Sequence, residues 1–293
     1  MPVEGVGVFG GKFLPLHLGH VYAILSAARM CRELHLFLFY NTPGENEKIG
    51  DSLFPKYLLF PSVREDILKN EFKECKNIKI HSVDCDVAFD PSSDSSSESN
   101  FWDYSSNAVR EMISCEPDII FSSEEDYVKH FKIAYPSSRV VLLDPARDIM
   151  HISGTMIRQY GAMKYWDYLP LTNRILSSRM VVLISDNEVF LESLLRDLAR
   201  VFVTTTVNCC VLEEGKLAEG ILGARLGANR VFFIGSSLSF FQENNMFFYK
   251  DSVIFKIAMD AKIDDCYVQV VDIKEEAEAF SILVREIQQY RNE

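Results

Sequence analysis

Several kinds of pattern are missing from this sequence of 293 residues. No apolar run approaches the roughly 20 residues of a membrane-spanning helix, and no apolar signal peptide precedes the first predicted strand. Lys and Arg together number 30 against 42 Asp and Glu, and the resulting net charge of −12 disfavours binding to nucleic-acid phosphates. We therefore expect neither a membrane nor a nucleic-acid partner, although a locally basic pocket for small anions is compatible with this charge.

The seven cysteines contain no CxxC pair and their number is odd, so a disulfide framework is not indicated. We expect reduced thiols and a cytoplasmic location. Cys209 and Cys210 are adjacent, which leaves a metal or redox pair open, but two small residues in a strand is the interpretation that we favour.

Apolar β-rich runs alternate with helical patterns along the whole chain, which predicts parallel sheets covered by helices. The fold class is therefore α/β, with a Rossmann-like domain over residues 1–172 and a smaller α/β domain over residues 173–293. A serine-rich segment at 90–100 is predicted to be a loop, and Ser62 with Glu65 is predicted to cap a helix. The predicted strands are Val6–Phe9, Leu34–Tyr40, Ile78–Val83, Asp118–Phe121, Val140–Leu143, Met180–Ser185, a strand-like 201–207, Arg230–Gly235 and Tyr267–Asp272.

The stretch GKFLPLHLGH follows the first predicted strand directly. Its glycines let the backbone approach a phosphate closely, and the start of the next helix favours an anion. A lysine adds positive charge, and two histidines three residues apart can face one site and donate hydrogen bonds to phosphate oxygens. The residues concerned are Gly10, Gly11, Lys12, His17, Gly19 and His20. Neither a P-loop signature nor a GxGxxG fingerprint is present.

Two segments carry a resemblance to a known superfamily. GKFLPLHLGH resembles the GxFxPxHxGH signature of the nucleotidyltransferases, which includes Phe13, and HISGTMIR at His151–Arg158 resembles their second signature, ISxTxIR. With EPDIIFSSE, VVLLDPARDIMHISGTMIR and KYWDYLP, the chain is similar to the NadR-type bifunctional nicotinamide mononucleotide (NMN) adenylyltransferase/ribosylnicotinamide kinase family. The resemblance spans about residues 5–175 and continues more weakly beyond.

The resemblance implies transfer of AMP from ATP to NMN, giving NAD and pyrophosphate. It places His17 and His20 on the ATP phosphates and assigns charge neutralisation to Lys12 and Arg158. Ser153 and Thr155 are expected at the start of a helix that meets the phosphates. Mg²⁺ is expected to enter with ATP, because no acidic cluster indicates a metal site within the chain.

The residues that would bind NMN are less clearly indicated by the sequence than those for ATP. The resemblance offers Trp102 as an aromatic that stacks on the nicotinamide ring, with a partly buried helix anchor as an equal alternative. Asn41, Ser122 and Ser123 follow predicted strands, so we expect them at the edge of the sheet that binds ligands.

The second domain lacks the parts that the family's kinase needs. After its first strand come the residues SDNEVFLE, with Leu191 and Glu192 where a P-loop has lysine and serine or threonine. We therefore predict no ribosylnicotinamide kinase activity. The terminal helix, with Ala277, Phe280, Leu283 and Ile287 at helical spacing, is expected to pack on its own sheet, and a homo-oligomer or regulatory interface is the alternative.

Two other functions stay open at this point. The acceptor could be nicotinate mononucleotide or another phosphate ester, because HxGH determines only the nucleotide half of the reaction. The chain could also be a non-catalytic nucleotide sensor or scaffold. Class I tRNA synthetases share HxGH, but we find no KMSKS-like loop and the acidic net charge disagrees.

Overall fold

A computed structural model describes residues 4–86, 97–212, 216–227, 229–244, 253–259 and 269–292. The chain divides into two compact units, Met1–Asn173 and Arg174–Glu293, each containing one five-stranded parallel sheet. The fold is thus α/β throughout. Residues 90–96 of the serine-rich segment lie outside the described residues. The loop prediction is wrong for residues 97–100, because a helix begins at Ser97.

The sheet of the first unit has the strand order β3-β2-β1-β4-β5. Because the order reverses between β1 and β4, the carboxyl ends of these two strands form the crevice where ligands bind in such sheets. The predicted strands are present, with their ends shifted by at most three residues. The strands are β1 Glu4–Gly11, β2 Cys31–Tyr40, β3 Ile78–Asp84, β4 Ile119–Ser122 and β5 Arg139–Leu142.

Helices cover both faces of this sheet, so its strands are apolar on both sides. In β2 the consecutive residues Leu36, Phe37 and Leu38 are all fully buried. The helices of this unit are α1 Leu18–Ala28, α2 Thr42–Gly50, α3 Pro61–Glu71, α4 Ser97–Ile113, α5 Val128–Ala134 and α6 Gly154–Lys164, while α7 Leu171–Ser177 crosses the unit boundary.

One predicted helix start in this unit is wrong, and another is shifted by one residue. The capping box at Ser62 is absent, because Pro61 occupies the first helical turn and Phe60 is the N-cap without a side-chain hydrogen bond. Helix α1 begins at Leu18, one residue before the expected start at Gly19, because His17 caps it. The second histidine of HxGH therefore lies in the first helical turn.

The sheet of the second unit has the order β10-β9-β6-β8-β7. Alternate residues of β6 enter two separate cores: Val181 and Leu183 face one, and Val182 and Ile184 face the other. The elements are β6 Arg179–Ile184, α8 Glu188–Phe202, β7 Thr206–Asn208, α9 Leu217–Leu226, β8 Val231–Ser236, α10 Leu238–Glu243, β9 Val253–Ile257, β10 Gln269–Ile273 and α11 Glu276–Asn292.

Several details of the second unit differ from the sequence prediction. Helix α8 continues through Phe202, so only the end of the strand-like run at 201–207 is a strand. Cys209 and Cys210 lie in a 3₁₀ turn and not in a strand, since Asn208 caps that turn through its side chain. Strand β9 was missed.

The terminal helix α11 packs on its own unit through buried residues that are spaced four positions apart. Ala279, Leu283 and Ile287 are fully buried in the core, whereas Phe280 and Ala277 are exposed. Half of the predicted inward face is therefore wrong, because the buried stripe passes through Ala279. Across the described residues, no helix is long and apolar enough to cross a membrane.

Candidate nucleotide-binding site

A pocket of about 240 Å³ lies in the first unit, among residues that follow β1, β4 and β5. It therefore opens where the strand order reverses, as expected for ligand sites in open parallel sheets. Both sequence signatures contribute to it. Its lining comprises Lys12, Phe13, Leu14, His17, Gly19, His20, Lys48, Ser123, Glu124, Asp144, Arg147, Met150, Ile152, Ser153, Gly154, Thr155 and Arg158.

The two histidines of HxGH form a stacked pair at the start of α1. Their ring centroids are 3.7 Å apart with an interplanar angle of 20°. His17 is the N-cap of α1, and its Nδ1 accepts a hydrogen bond from the His20 backbone N–H at 3.3 Å. His17 Nδ1 is therefore unprotonated, and its proton is on Nε2, which can donate to an anion.

Burial holds the histidine pair in the neutral form. It lowers the pKa of His20 to about 3, with a smaller contribution from the positive charge of Arg147. The pKa of His17 is also well below its usual value, through burial and then through His20 and Arg147. His20 Nδ1 is buried and has no hydrogen-bond partner in the described structure. The pair thus offers neutral, partly unsatisfied imidazoles to a ligand.

The glycine of HxGH leaves room for a close contact between the two signatures. A Cβ atom on Gly19 would lie 3.0 Å from His17 Nδ1 and 3.3 Å from the Ile152 side chain. A larger residue would push the His17 ring or the second signature away. Gly19 is needed here for packing, which is a more specific reason than the helix start that we expected.

The second signature begins helix α6 against the turn that carries the first. Ser153 is the N-cap, and its Oγ accepts from the Met156 N–H at 3.2 Å. Arg158 donates from Nη1 to the Leu14 carbonyl and from Nη2 to Thr155 Oγ1 at 3.1 Å. A single guanidinium thus links residues 144 positions apart in the sequence.

Lys12 lines the pocket and is half exposed, with its ammonium group 3.8 Å from Glu45 Oε1. Burial lowers the pKa of Lys12, and the charge of Glu45 opposes that shift. Glu45 forms an ion pair at 2.5 Å with Arg64, and both side chains are 1% exposed. This pair was not predicted, because nothing in a single sequence distinguishes a buried ion pair from two solvated charges on surface helices.

Arg147 is a second cation that sequence analysis missed. It lines the pocket in a left-handed conformation with φ 56°, and its Nη2 donates to Glu124 Oε1 at 3.0 Å. The carboxylate of Asp144 accepts from the Ile149 and Met150 amides and so closes the loop that carries Arg147. The feature of the sequence that could have indicated Arg147 is its position between the last strand of the unit and ISGTMIR.

Gly10 and Gly11 do not line the pocket, contrary to expectation. Both are the last residues of β1. A Cβ atom on Gly10 would lie 2.6 Å from the Phe39 ring, and one on Gly11 would lie 3.0 Å from the Phe13 ring. These glycines therefore make room for aromatic rings, and Phe13 in turn contacts the His20 ring edge-on, with centroids 5.2 Å apart.

Among the residues expected on the NMN side, only Ser123 lines the pocket. Ser122 Oγ closes its own turn through the backbone of Glu124. Asn41 Oδ1 caps α2 by accepting from the Gly44 N–H at 2.5 Å, while its buried Nδ2 has no partner in the described structure. The side chains of Ser122 and Asn41 are thus at least partly engaged in local structure, and Asn41 Nδ2 is the group that has no partner there.

Trp102 lies on α4 within a cluster of rings. It stacks on His130 with centroids 4.7 Å apart and an interplanar angle of 5°, and it meets Tyr127 and Phe131 edge-on. His130 thus covers one face of the indole, as in a helix anchor, and a nicotinamide ring would have to stack on the other face.

Comparison with known proteins finds NadR proteins among the curated relatives of this chain. No family model matches the chain. The Trifunctional NAD biosynthesis/regulator protein NadR of Escherichia coli (strain K12) is 31% identical over 208 residues, covering 69% of this chain and 47% of that protein. The protein of the same name from Salmonella typhimurium is 31% identical over 212 residues, with 69% and 48% covered. The chain spans about half the length of these curated relatives.

A solved structure shows the same fold over nearly the whole chain. The crystal structure of NadR protein in complex with NAD and AMP-PNP aligns with a TM-score of 0.61 at 19% identity, covering 99% of this chain and 90% of that one. Both units therefore have counterparts, in the same order, in a protein crystallised with nucleotides.

Proposed function

The chain belongs to the NadR-type family, and on that basis we propose that its first unit is a nicotinamide-nucleotide adenylyltransferase. It would transfer AMP from ATP to NMN, giving NAD and pyrophosphate. The observation that carries this proposal is the direct contact between the HxGH turn and ISGTMIR, which Arg158 makes by donating to Leu14 within one pocket.

The charges of the pocket suit a polyphosphate. Four cations line it, Lys12, Lys48, Arg147 and Arg158, against the two carboxylates of Glu124 and Asp144. The reaction needs an NMN phosphate oxygen to attack the α-phosphorus of ATP while the bond to the bridging oxygen of pyrophosphate breaks. Because little covalent work falls to the protein, positioning and charge stabilisation supply the catalysis.

We assign the histidines to the developing charge on the phosphates. Neutral imidazoles in a buried site donate hydrogen bonds without an unpaired charge in the free enzyme. His20 Nδ1 has no hydrogen-bond partner in the described structure. It gains one when it donates a proton to the arriving phosphate, and the negative charge of that phosphate favours protonation of the ring. Lys12 and Arg158 are assigned to neutralise phosphate charge, and Ser153 and Thr155 to the phosphates at the start of α6.

We propose that Mg²⁺ enters with ATP and neutralises phosphate charge there. Within the described part of the chain, no group of three His, Cys, Asp or Glu side chains could hold a metal ion. The proposal therefore relies on ATP to carry the ion, and the steps above involve this chain's own side chains.

For the acceptor half, the proposal keeps NMN with Asn41, Trp102 and the Ser122–Ser123 turn as its contacts. The free Nδ2 of Asn41, buried where β2 ends, is the strongest of these. Competition between NMN, nicotinate mononucleotide and other phosphate esters in one assay decides the acceptor, and preference for a non-pyridine ester would refute the choice of NMN.

The second unit is proposed to lack kinase activity. An open pocket of about 890 Å³ follows β6, β8 and β9, and its described lining holds Asp186, Glu188 and Glu276 but no lysine or arginine. The residue in the place of a P-loop lysine, Leu191, is fully buried against Gly235. A polyphosphate would therefore meet carboxylates in this pocket.

The direct test is to incubate the protein with NMN, ATP and Mg²⁺ and to measure NAD. We expect turnover that His20→Ala lowers about 10²- to 10³-fold, the effect of removing one preorganised donor. His81→Ala is the matched control, since His81 is a half-buried histidine that pairs with His35 outside the pocket. No NAD from the wild-type protein, with ATP or NAD bound tightly, would instead support the sensor alternative.

A further inference from the structure

The turn between β1 and α1 is held by three side chains at alternate carbonyls. Arg64 Nη1 donates to the Lys12 carbonyl at 2.5 Å, and Arg158 Nη1 donates to the Leu14 carbonyl. Asn173 Nδ2 donates to the Leu16 carbonyl at 2.8 Å. The donors come from α3, α6 and α7, so three helices distant in the sequence converge on five residues of backbone.

Such a turn needs outside partners. It connects a strand to a helix in irregular backbone, with Phe13 at φ 46°, and Phe13, Leu14 and Leu16 are buried. A buried carbonyl without a hydrogen bond costs free energy, so its partners come from side chains where the backbone ladder ends. Because a different helix holds every second carbonyl, the backbone path of the turn and the orientation of its peptide groups are both restrained.

Arg64 and Asn173 reach this turn from outside the pocket. Neither lines it, and Arg64 is 2% and Asn173 0% exposed. Any effect of theirs on a bound nucleotide must therefore pass through the turn that carries Lys12, His17 and the start of α1.

The charge of Arg64 is balanced by Glu45, which also lies 3.8 Å from the Lys12 ammonium group. The pair thus holds Lys12 at two points, Arg64 at its carbonyl and Glu45 at its side chain. Buried ion pairs contribute little net stability compared with apolar residues of similar volume. What this pair supplies is a fixed geometry for a pocket lysine.

We propose that Arg64 and Asn173 are positioning residues that hold the Lys12–His17 turn in the geometry that the reaction needs, with Glu45 as the counter-charge of Arg64. This inference rests on the adenylyltransferase proposed above for its kinetic part only. Replacing either residue should lower kcat, because both align groups that stabilise the transition state. The fold of the first unit should remain intact in these variants.

The test combines hydrogen exchange with kinetics on the full chain. The variants are Arg64→Gln and Asn173→Leu. The matched controls are Arg110→Gln and Asn77→Leu, because Arg110 donates to the Ala134 carbonyl and pairs with Glu116, and Asn77 donates to the Ala28 carbonyl at 2.8 Å, all away from the pocket. The readout that does not depend on activity is exchange at the His20 amide, which donates to the His17 ring at 3.3 Å. We expect this hydrogen bond to open more often when the turn is no longer held.

We expect the two variants to raise exchange at His20 at least tenfold and to lower kcat for NAD synthesis at least tenfold, with KM for ATP changed less than threefold. Arg64→Lys should restore part of kcat, because it keeps a charged donor near Glu45. The controls should change neither quantity by more than twofold. Should Arg64→Gln fail to fold because Glu45 is left unpaired, the double variant Glu45→Gln/Arg64→Gln removes both charges and takes its place.

Unchanged exchange at His20 in both variants would overturn the positioning role, whatever the activity. A wild-type protein that makes no NAD would instead overturn the proposed function, and the exchange result would still decide the role of Arg64 and Asn173. Equal effects in the variants and the controls would assign the loss to general stability and reject the inference.

Discussion

The histidine pair shows how one residue type acquires a function from its surroundings. Imidazole normally titrates near neutrality, but here burial keeps both rings neutral, and for His20 the pKa falls to about 3. The spacing of His17 and His20 and their place after a strand are visible in the sequence. The stacking of the rings and the hydrogen bond from the His20 amide to the His17 ring come from the first turn of α1.

This burial predicts a pH dependence of stability. A histidine whose pKa is lower in the folded than in the unfolded state favours unfolding once the pH falls below about 6.5, because the unfolded state then binds more protons. For His20 the loss grows from about pH 6.5 down to about pH 3. Between pH 7 and pH 5 it should amount to about 2 kcal/mol.

Urea unfolding at pH 7 and pH 5 checks this prediction, because both tryptophans of the chain, Trp102 and Trp166, belong to the first unit and report on it by fluorescence. His20→Gln should lose about 2 kcal/mol less than the wild-type protein over this interval. The same change at the exposed His151 serves as the control. Equal losses in the wild-type and His20→Gln proteins would show that His20 is not buried in its neutral form.

At the scale of elements, the site depends on how closely α6 approaches the turn before α1. A Cβ atom on Gly154, the first residue of α6, would lie 2.5 Å from the Leu14 carbonyl oxygen. A backbone atom cannot move aside as a flexible side chain can. Gly154 therefore sets the distance between the two signatures, and the sequence motif alone gave no such reason for it.

Gly154→Ala should accordingly separate the two signatures. We expect a loss of about 1–3 kcal/mol in the stability of the first unit, the usual cost of overpacking, and at least a tenfold loss of NAD synthesis. Tryptophan-monitored unfolding and steady-state kinetics measure the two effects.

Gly50→Ala is the matched control for this change. Gly50 is the exposed last residue of α2, and a Cβ atom there would meet no atom within 4 Å. Alanine should be neutral or stabilising there by about 0.5 kcal/mol, because it restricts the unfolded chain. A Gly154→Ala protein as stable and active as this control would contradict the close approach of α6.

At the scale of the whole molecule, the two units present opposite electrostatic environments at the carboxyl ends of similar sheets. Cations outnumber carboxylates in the lining of the first pocket, four to two. The described lining of the second holds three carboxylates and no lysine or arginine. Asn187, which caps α8, also donates to Glu276, so the start of that helix is occupied by the chain's own side chains.

This contrast predicts which precursor the protein can use. With ATP and Mg²⁺ we expect NAD from NMN, but no NMN and no NAD from nicotinamide riboside, because phosphorylating the riboside needs a polyphosphate site in the second unit. Chromatography of the products from the two precursors decides the point. Turnover of the riboside, in a preparation where His20→Ala blocks the NMN reaction, would establish a working kinase and refute the prediction.

Much of the architecture was predictable from the sequence because parallel sheets produce long apolar runs at regular intervals. The elements that were misplaced had weak or misleading local patterns. A proline in the first turn replaced the expected cap at Ser62, and β9 is a short strand of five residues. Local propensity gives the type of an element more reliably than its end, because the ends are decided by caps and tertiary contacts.

The sequence by itself determined the α/β class, the two signatures and the absence of a P-loop signature, since each of these is written in residue type and spacing. Only the tertiary structure decided which residues share the pocket. It brought in Lys48, Glu124 and Arg147, placed Gly10 and Gly11 against aromatic rings, and paired Glu45 with Arg64 beneath Lys12. The physical reason is that such contacts join residues far apart in the sequence, from 19 positions for Glu45 and Arg64 to 144 for Leu14 and Arg158. They depend on how the helices pack, which local sequence patterns do not describe.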